Sequence, residues 1–205
     1  MLRRILRHSP ALALCATVSI AACSKGADAT ADSARKADSA AAATPASATA
    51  APAPAMTDAS ILGTLDADNV GDSTAGATAV EKATSASIKE FGRMMMKDHH
   101  AMRVEGMAVA KKAGVTPETP SGADAAAEKA AADSMASAPK GAAWDKAFID
   151  HQVDGHTKVL VYAQDAANAT QNADIKAMIQ KASPTIQKHL DKAKDIQGKL
   201  PAAKP

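Results

Sequence analysis

Four stretches of this chain repeat apolar residues every three or four positions, and no stretch of useful length alternates them. That pattern restricts the folded part to helices packed on one another, because a half-buried strand needs a period of two. The clearest stripe is Ile175, Met178, Ile179, Ile186, Leu190, Ala193 and Ile196. It belongs to a helix that Asn172 can cap and that runs to about Gly198. Pro184 sits inside the stripe and predicts a kink or a split there. A second stripe of Ile88, Phe91, Met95, Met102 and Val109 marks a helix from about Ser87 to Ala113. Lys111 and Lys112 suit its C-terminal dipole, Gly114 can cap it and Pro117 ends it.

Another helix covers about Ala142 to Ala169, with Ile149, Val153, Leu160 and Ala163 inward. The earliest one starts at the N-cap Thr57 and extends to about Thr84, turning Ile61, Leu65, Val80 and Ala83 inward. Gly63, Gly71 and Gly76 weaken it. Pro117 to Gly141 is an Ala-rich connection with a short helix at Ala123 to Ser134. The expected fold is all-α, an up-down four-helix bundle over residues 56–200.

The N-terminus bears on location. Arg3, Arg4 and Arg7 precede an apolar run from Ala11 to Ile20, with no acidic residue among them. This is the layout of a bacterial secretory signal peptide, and the run is too short to span a bilayer. Ile20-Ala21-Ala22-Cys23 resembles the lipobox of bacterial lipoproteins, which implies cleavage after residue 22 and lipidation of Cys23. Ser24 after the cysteine is the residue type of outer-membrane lipoproteins, so the expected site is the outer membrane, facing the periplasm.

From Ser24 to Ala55 the chain is nearly all Ala, Ser, Thr, Asp and Pro, too poor in bulky residues to offset ordering entropy. It reads as a disordered tether reaching roughly 30 Å. Residues 23–55 thus form a lipidated linker.

With the arginines of the leader removed, the chain is near neutral, and aromatics make up 2% of it. Nucleic-acid binding needs a basic field and stacking platforms, so that class is set aside. Cys15 leaves with the leader and Cys23 carries lipid, so no thiol remains for a disulfide, a thiolate metal site or a nucleophile. The lipid anchor is the expected membrane contact; a protein partner or a homo-oligomer also fits a lipoprotein of this kind.

The chemistry-bearing residues are histidines. His99 falls four after Met95 and three before Met102; His156 three after Val153; His189 three after Ile186. Three helices therefore each turn one imidazole toward the same interior. Facing side chains in a bundle core build metal sites, and imidazole suits Zn, Cu, Fe and Ni. Asp98, Glu105 and Asp154 stand close enough in sequence to supply a carboxylate or an outer acceptor. The predicted metal set is His99, His156, His189, Asp98 and Glu105, holding a transition metal such as Zn, Fe or Cu. His100 and His151 fall nearer the stripe edges. The competing reading is a structural or interaction module whose histidines form a buried hydrogen-bonded network.

These residues carry a resemblance. Ile88-Lys89-Glu90-Phe91-Gly92-Arg93-Met94-Met95-Met96-Lys97-Asp98-His99 is one segment of it, and Trp144-Asp145-Lys146-Ala147-Phe148-Ile149 with His156 is another. The third is Pro184-Thr185-Ile186-Gln187-Lys188-His189-Leu190. From about Thr57 to Leu200 the chain resembles the ferritin-like domains of bacterial predicted outer-membrane or secreted proteins of unassigned function. The matching positions are Asp98, His99, His156, Pro184 and His189. The resemblance implies a ferritin-like bundle and supplies no reaction; the expected function is that of a non-catalytic binding or stress-related envelope protein. Di-iron members of the wider fold use Glu-x-x-His pairs, and no glutamate here has histidine three residues on.

Other signals are weaker. Met95, His99 and Met102 share a face that would suit Cu(I), but methionines at helical spacing are more often core filling. Asp66-Ala67-Asp68-Asn69-Val70-Gly71 begins like a calcium loop, yet Val70 and Ala77 occupy ligand positions, so it is rejected. No serine stands beside a base, and catalysis is not expected.

Overall fold

The computed structural model describes residues 56–201 of the chain. The expected leader at residues 1–22, the expected lipidation site Cys23 and the expected linker to residue 55 lie outside them. Five helices run in order: α1 (Asp58–Lys82), α2 (Ala86–Ala113), α3 (Ala123–Ser137), α4 (Ala142–Ala169) and α5 (Ala173–Lys199). Among the described residues there is no strand. The architecture is an all-helical bundle in which α1 packs along α2, α4 along α5, and α2 against α5.

Local chemistry sets the helix ends. Thr57 Oγ1 accepts from Ser60 N–H at 3.1 Å and Ser60 Oγ accepts from Thr57 N–H at 2.9 Å, a reciprocal box that starts α1. Gly114 takes the left-handed conformation, φ 67°, and ends α2. Asn172 Oδ1 accepts from the N–H groups of Asp174 and Ile175 and starts α5. The start of α2 is capped from a distance. Ser85 makes no side-chain cap of its own. The buried Asp145 carboxylate of α4 accepts from the N–H groups of Thr84 and Ser85, at 2.9 and 2.8 Å, and from the Thr84 hydroxyl. A negative charge at a helix N-terminus satisfies otherwise orphaned donors and suits the dipole.

Pro184 does not split the last helix; α5 is continuous through it. Pro184 and Gln180 are both exposed, so the carbonyl that loses its partner to the proline can turn to water. α3 reaches Ser137 and has no buried residue. Its C-terminal end is held by Trp144 Nε1–H donating to the Met135 carbonyl at 2.9 Å.

Two apolar clusters fill the interior. One joins Ile88, Phe91, Met95, Trp144, Phe148, Ile149, Ala193 and Ile196 to Ala79 and Ala83. The other joins Ile61, Leu62, Ala110, Ala163, Ala166, Ile175, Met178 and Ile179. Every residue of the α5 stripe is buried, whereas Leu65, Val80, Met102, Val109, Val153 and Leu160 are only half-buried. Small residues are buried in their place: Gly63, Gly76 and Ala79 on α1 and Gly92 on α2. At Gly63 a Cβ would stand 1.6 Å from the Glu118 carbonyl oxygen. At Gly76 it would stand 2.6 Å from the Gly92 carbonyl oxygen, and the reverse contact is the same. These glycines are therefore where backbones meet, not merely weak points of a helix.

Candidate metal centre

Along α2, α4 and α5 the two apolar clusters are separated by a polar level. His99, His156 and His189 occupy it, 3%, 2% and 0% exposed. Each lies at a stripe position, so helical periodicity alone carries its imidazole to the bundle interior. Ring centroids stand 5.0 Å apart for His99–His189, 5.5 Å for His156–His189 and 5.7 Å for His99–His156. One nitrogen from each ring lies within 4.8 Å of the others, so the three can form a metal site.

The hydrogen bonds assign the rings' orientation. His99 Nδ1 meets Asn69 Oδ1 at 3.0 Å, His156 Nδ1 meets the Gln152 carbonyl at 3.0 Å, and His189 Nε2 meets Asp98 Oδ2 at 3.0 Å. All three partners are acceptors, so the outer nitrogen of each ring carries the proton. The inner nitrogens, His99 Nε2, His156 Nε2 and His189 Nδ1, then present lone pairs. His99 Nε2 and His189 Nδ1 are 3.2 Å apart. His156 Nε2 is buried and has no hydrogen-bond partner among the described residues.

Electrostatics agree with neutral rings. Burial, then the neighbouring His189 and His156, push His99 down to about 3. Burial, then His189, push His156 down to about 4 against the opposing bond to Gln152. Burial lowers His189 despite its bond to Asp98. At neutral pH none of the three rings carries a second proton that a metal would have to displace.

α1 supplies two residues that the stripe reading missed. Asn69 orients His99, and Asp72 Oδ2 lies 3.5 Å from His99 Nε2. Burial, then the charges of Asp68 and Glu128, push the Asp72 carboxyl up to about 8. Burial and Glu128 likewise raise Asp68 to about 6. The signal was present: positions 62, 65, 69, 72, 76 and 79 follow one helical face, and two of them are polar.

The other candidates are placed elsewhere. Asp98 backs His189 from outside the ring cluster and is an outer acceptor. Glu105 does not belong to the centre. It sits six residues beyond His99, well around the helix, and its carboxylate takes Lys181 Nζ at 2.8 and 3.0 Å on the surface. Asp154 pairs with Lys158 in solvent. His100 is exposed, and His151 faces Glu128 at 3.3 Å. Met95 packs in the Phe91–Trp144 cluster, as core filling requires.

Comparison with known proteins adds family and fold. A family model described as "Domain of unknown function (DUF4142)" matches residues 43–196, which include every residue of the centre. Among solved structures, the crystal structure of a DUF305 fragment from Deinococcus radiodurans is similar with a TM-score of 0.62. It covers 72% of this chain and 100% of its own at 11% identity, which speaks to the helical fold alone. No curated protein matches.

Proposed function

We propose, for a chain that belongs to the DUF4142 family of unknown function, that His99, His156 and His189 hold one transition-metal ion inside a ferritin-like four-helix bundle. The protein is a binding protein of the bacterial envelope rather than an enzyme. One observation carries the metal: three buried imidazoles with their outer N–H groups engaged and their lone pairs turned toward one another. Metal-ligating histidines donate the other ring N–H to a carboxylate, carbonyl or amide oxygen in this way. A hydrogen-bonded network would have to give His156 Nε2 a donor, and the described residues place none there.

Elemental analysis by plasma mass spectrometry tests this on the full-length chain, prepared without a metal-binding tag. Close to one equivalent of a transition metal is expected, and none in a folded His99→Ala, His156→Ala, His189→Ala triple variant. A parent protein that stays metal-free after incubation with Zn, Cu, Fe and Ni would leave only a structural polar cluster.

The location follows from the leader, Cys23 and Ser24. The bundle is tethered by lipid to the outer membrane and works in the periplasm. An anchor with more than one acyl chain holds stably, where a single chain would not. Labelled palmitate should enter the wild-type chain in cells and not Cys23→Ser; equal labelling of both would remove the anchor from this account.

A further inference from the structure

We infer that Asp72 is the fourth ligand, so that the centre is a closed three-histidine, one-carboxylate site for a divalent cation of the Zn²⁺ type. The inference rests on the three-histidine reading above and adds α1 to the helices that build the site.

The first ground is distance. Ligand bonds of about 2.0–2.1 Å in a tetrahedral shell place neighbouring ligand atoms roughly 3.3–3.4 Å apart. His99 Nε2 stands 3.2 Å from His189 Nδ1 and 3.5 Å from Asp72 Oδ2. Both separations are already those of tetrahedron edges.

The second ground is polarity. With its proton held on Nδ1 by Asn69, His99 Nε2 is an acceptor. The nearest imidazole nitrogen, His189 Nδ1, is an acceptor too, its own proton being held on Nε2 by Asp98. Acceptors that converge at such distances call for a positive centre between them, and His156 Nε2 offers a further buried lone pair without a partner.

Ligand chemistry then selects the ion. Three imidazoles and one carboxylate are nitrogen and oxygen donors, which suit borderline divalent ions; Cu⁺ prefers thiolate and thioether. A shell closed by four side chains leaves no position for a substrate, the arrangement of structural rather than catalytic zinc sites. The rival fourth ligand is water. A cavity of about 40 Å³ begins one helical turn from the histidines, at Met102, Val159 and Ile186, and has room for it.

Titration of the full-length chain with Co²⁺, followed by displacement with Zn²⁺, separates these cases. Wild type should develop the intense visible bands of four-coordinate Co²⁺. Asp72→Asn and Asp72→Ala should bind more weakly by well over roughly 100-fold, beyond the 10–100-fold that outer-shell changes typically cause, and the bands should change. Asp68→Asn makes the same side-chain change one turn away on the same face of α1, so it should weaken binding less, in a salt-sensitive way, with the bands intact. Thermal melts of the metal-free variants establish that each is folded.

If both Asp72 variants keep the wild-type bands, or weaken binding no more than Asp68→Asn does, water is the fourth ligand and the inference fails alone. If wild type takes up neither Co²⁺ nor Zn²⁺, the three-histidine reading fails and this one with it.

Discussion

Saturating Zn²⁺ should raise the melting temperature of the full-length chain by roughly 10 °C, and His156→Ala should abolish the rise. The size follows from linkage. A ligand at 1,000 times its dissociation constant stabilises the native state by about 4 kcal/mol, provided the unfolded chain does not bind it. For a folded region near 150 residues, each kcal/mol moves the midpoint by roughly 2–4 °C. His156 is the informative position because its buried inner nitrogen has no hydrogen-bond partner among the described residues. Its outer proton bonds a carbonyl of its own helix, so truncation breaks no hydrogen bond to another helix.

The rival account gives the opposite pattern. If the imidazoles formed only a hydrogen-bonded network, His156→Ala would lower the metal-free midpoint and Zn²⁺ would move neither protein. A differential scanning calorimetry trace of each protein, with and without Zn²⁺, distinguishes the two. A parent midpoint that is indifferent to Zn²⁺, Cu²⁺, Fe²⁺ and Ni²⁺ alike at millimolar concentration would refute the metal site.

Periodicity made most of this legible. The α5 stripe from Ile175 to Ile196 is wholly buried, and the same arithmetic placed His99, His156 and His189 together on three helices. It works because a helix has one repeat, and a residue at a stripe position has only one place to point. What it could not reach was partner choice. Asp98 and Glu105 looked equivalent as carboxylates near His99, but helical rotation turns Glu105 to Lys181 on the surface, and Asp98 backs a histidine of another helix. Asp72 lies far from every histidine in sequence and meets His99 only through the pairing of α1 with α2. The remote cap that Asp145 provides for α2 is hidden for the same reason. Such contacts are tertiary, and no local pattern encodes them.

The three glycines of α1 should part company when each is changed to Ala. Helix propensity alone treats them alike and makes every substitution stabilising by roughly 0.5–1 kcal/mol. Gly71 should follow that rule, since a Cβ there meets nothing within 4 Å. Gly76→Ala should reverse it. Its Cβ would stand 2.6 Å from the Gly92 carbonyl oxygen, with Met96 Cγ at 3.1 Å and Met95 Cβ at 3.2 Å behind it. A backbone carbonyl inside a helix cannot step aside without moving the helix, so α1 and α2 must separate along their crossing. Overpacking of that kind costs about 1–3 kcal/mol, which outweighs the propensity gain. Gly63→Ala meets the Glu118 carbonyl oxygen at 1.6 Å and should cost about as much or more, moderated where the segment after α2 can yield. The displacement also has a functional arm. Gly92 and His99 lie two turns apart on one face of α2, so pushing α2 away from α1 withdraws His99 from Asn69 and Asp72. Gly76→Ala should therefore lower Zn²⁺ affinity as well as stability, while Gly71→Ala raises stability and leaves affinity unchanged. Urea denaturation of the metal-free proteins, paired with a Zn²⁺ titration of each, reads both effects. A Gly76→Ala protein as stable as Gly71→Ala would mean that the two backbones do not meet as closely as Gly76 and Gly92 place them.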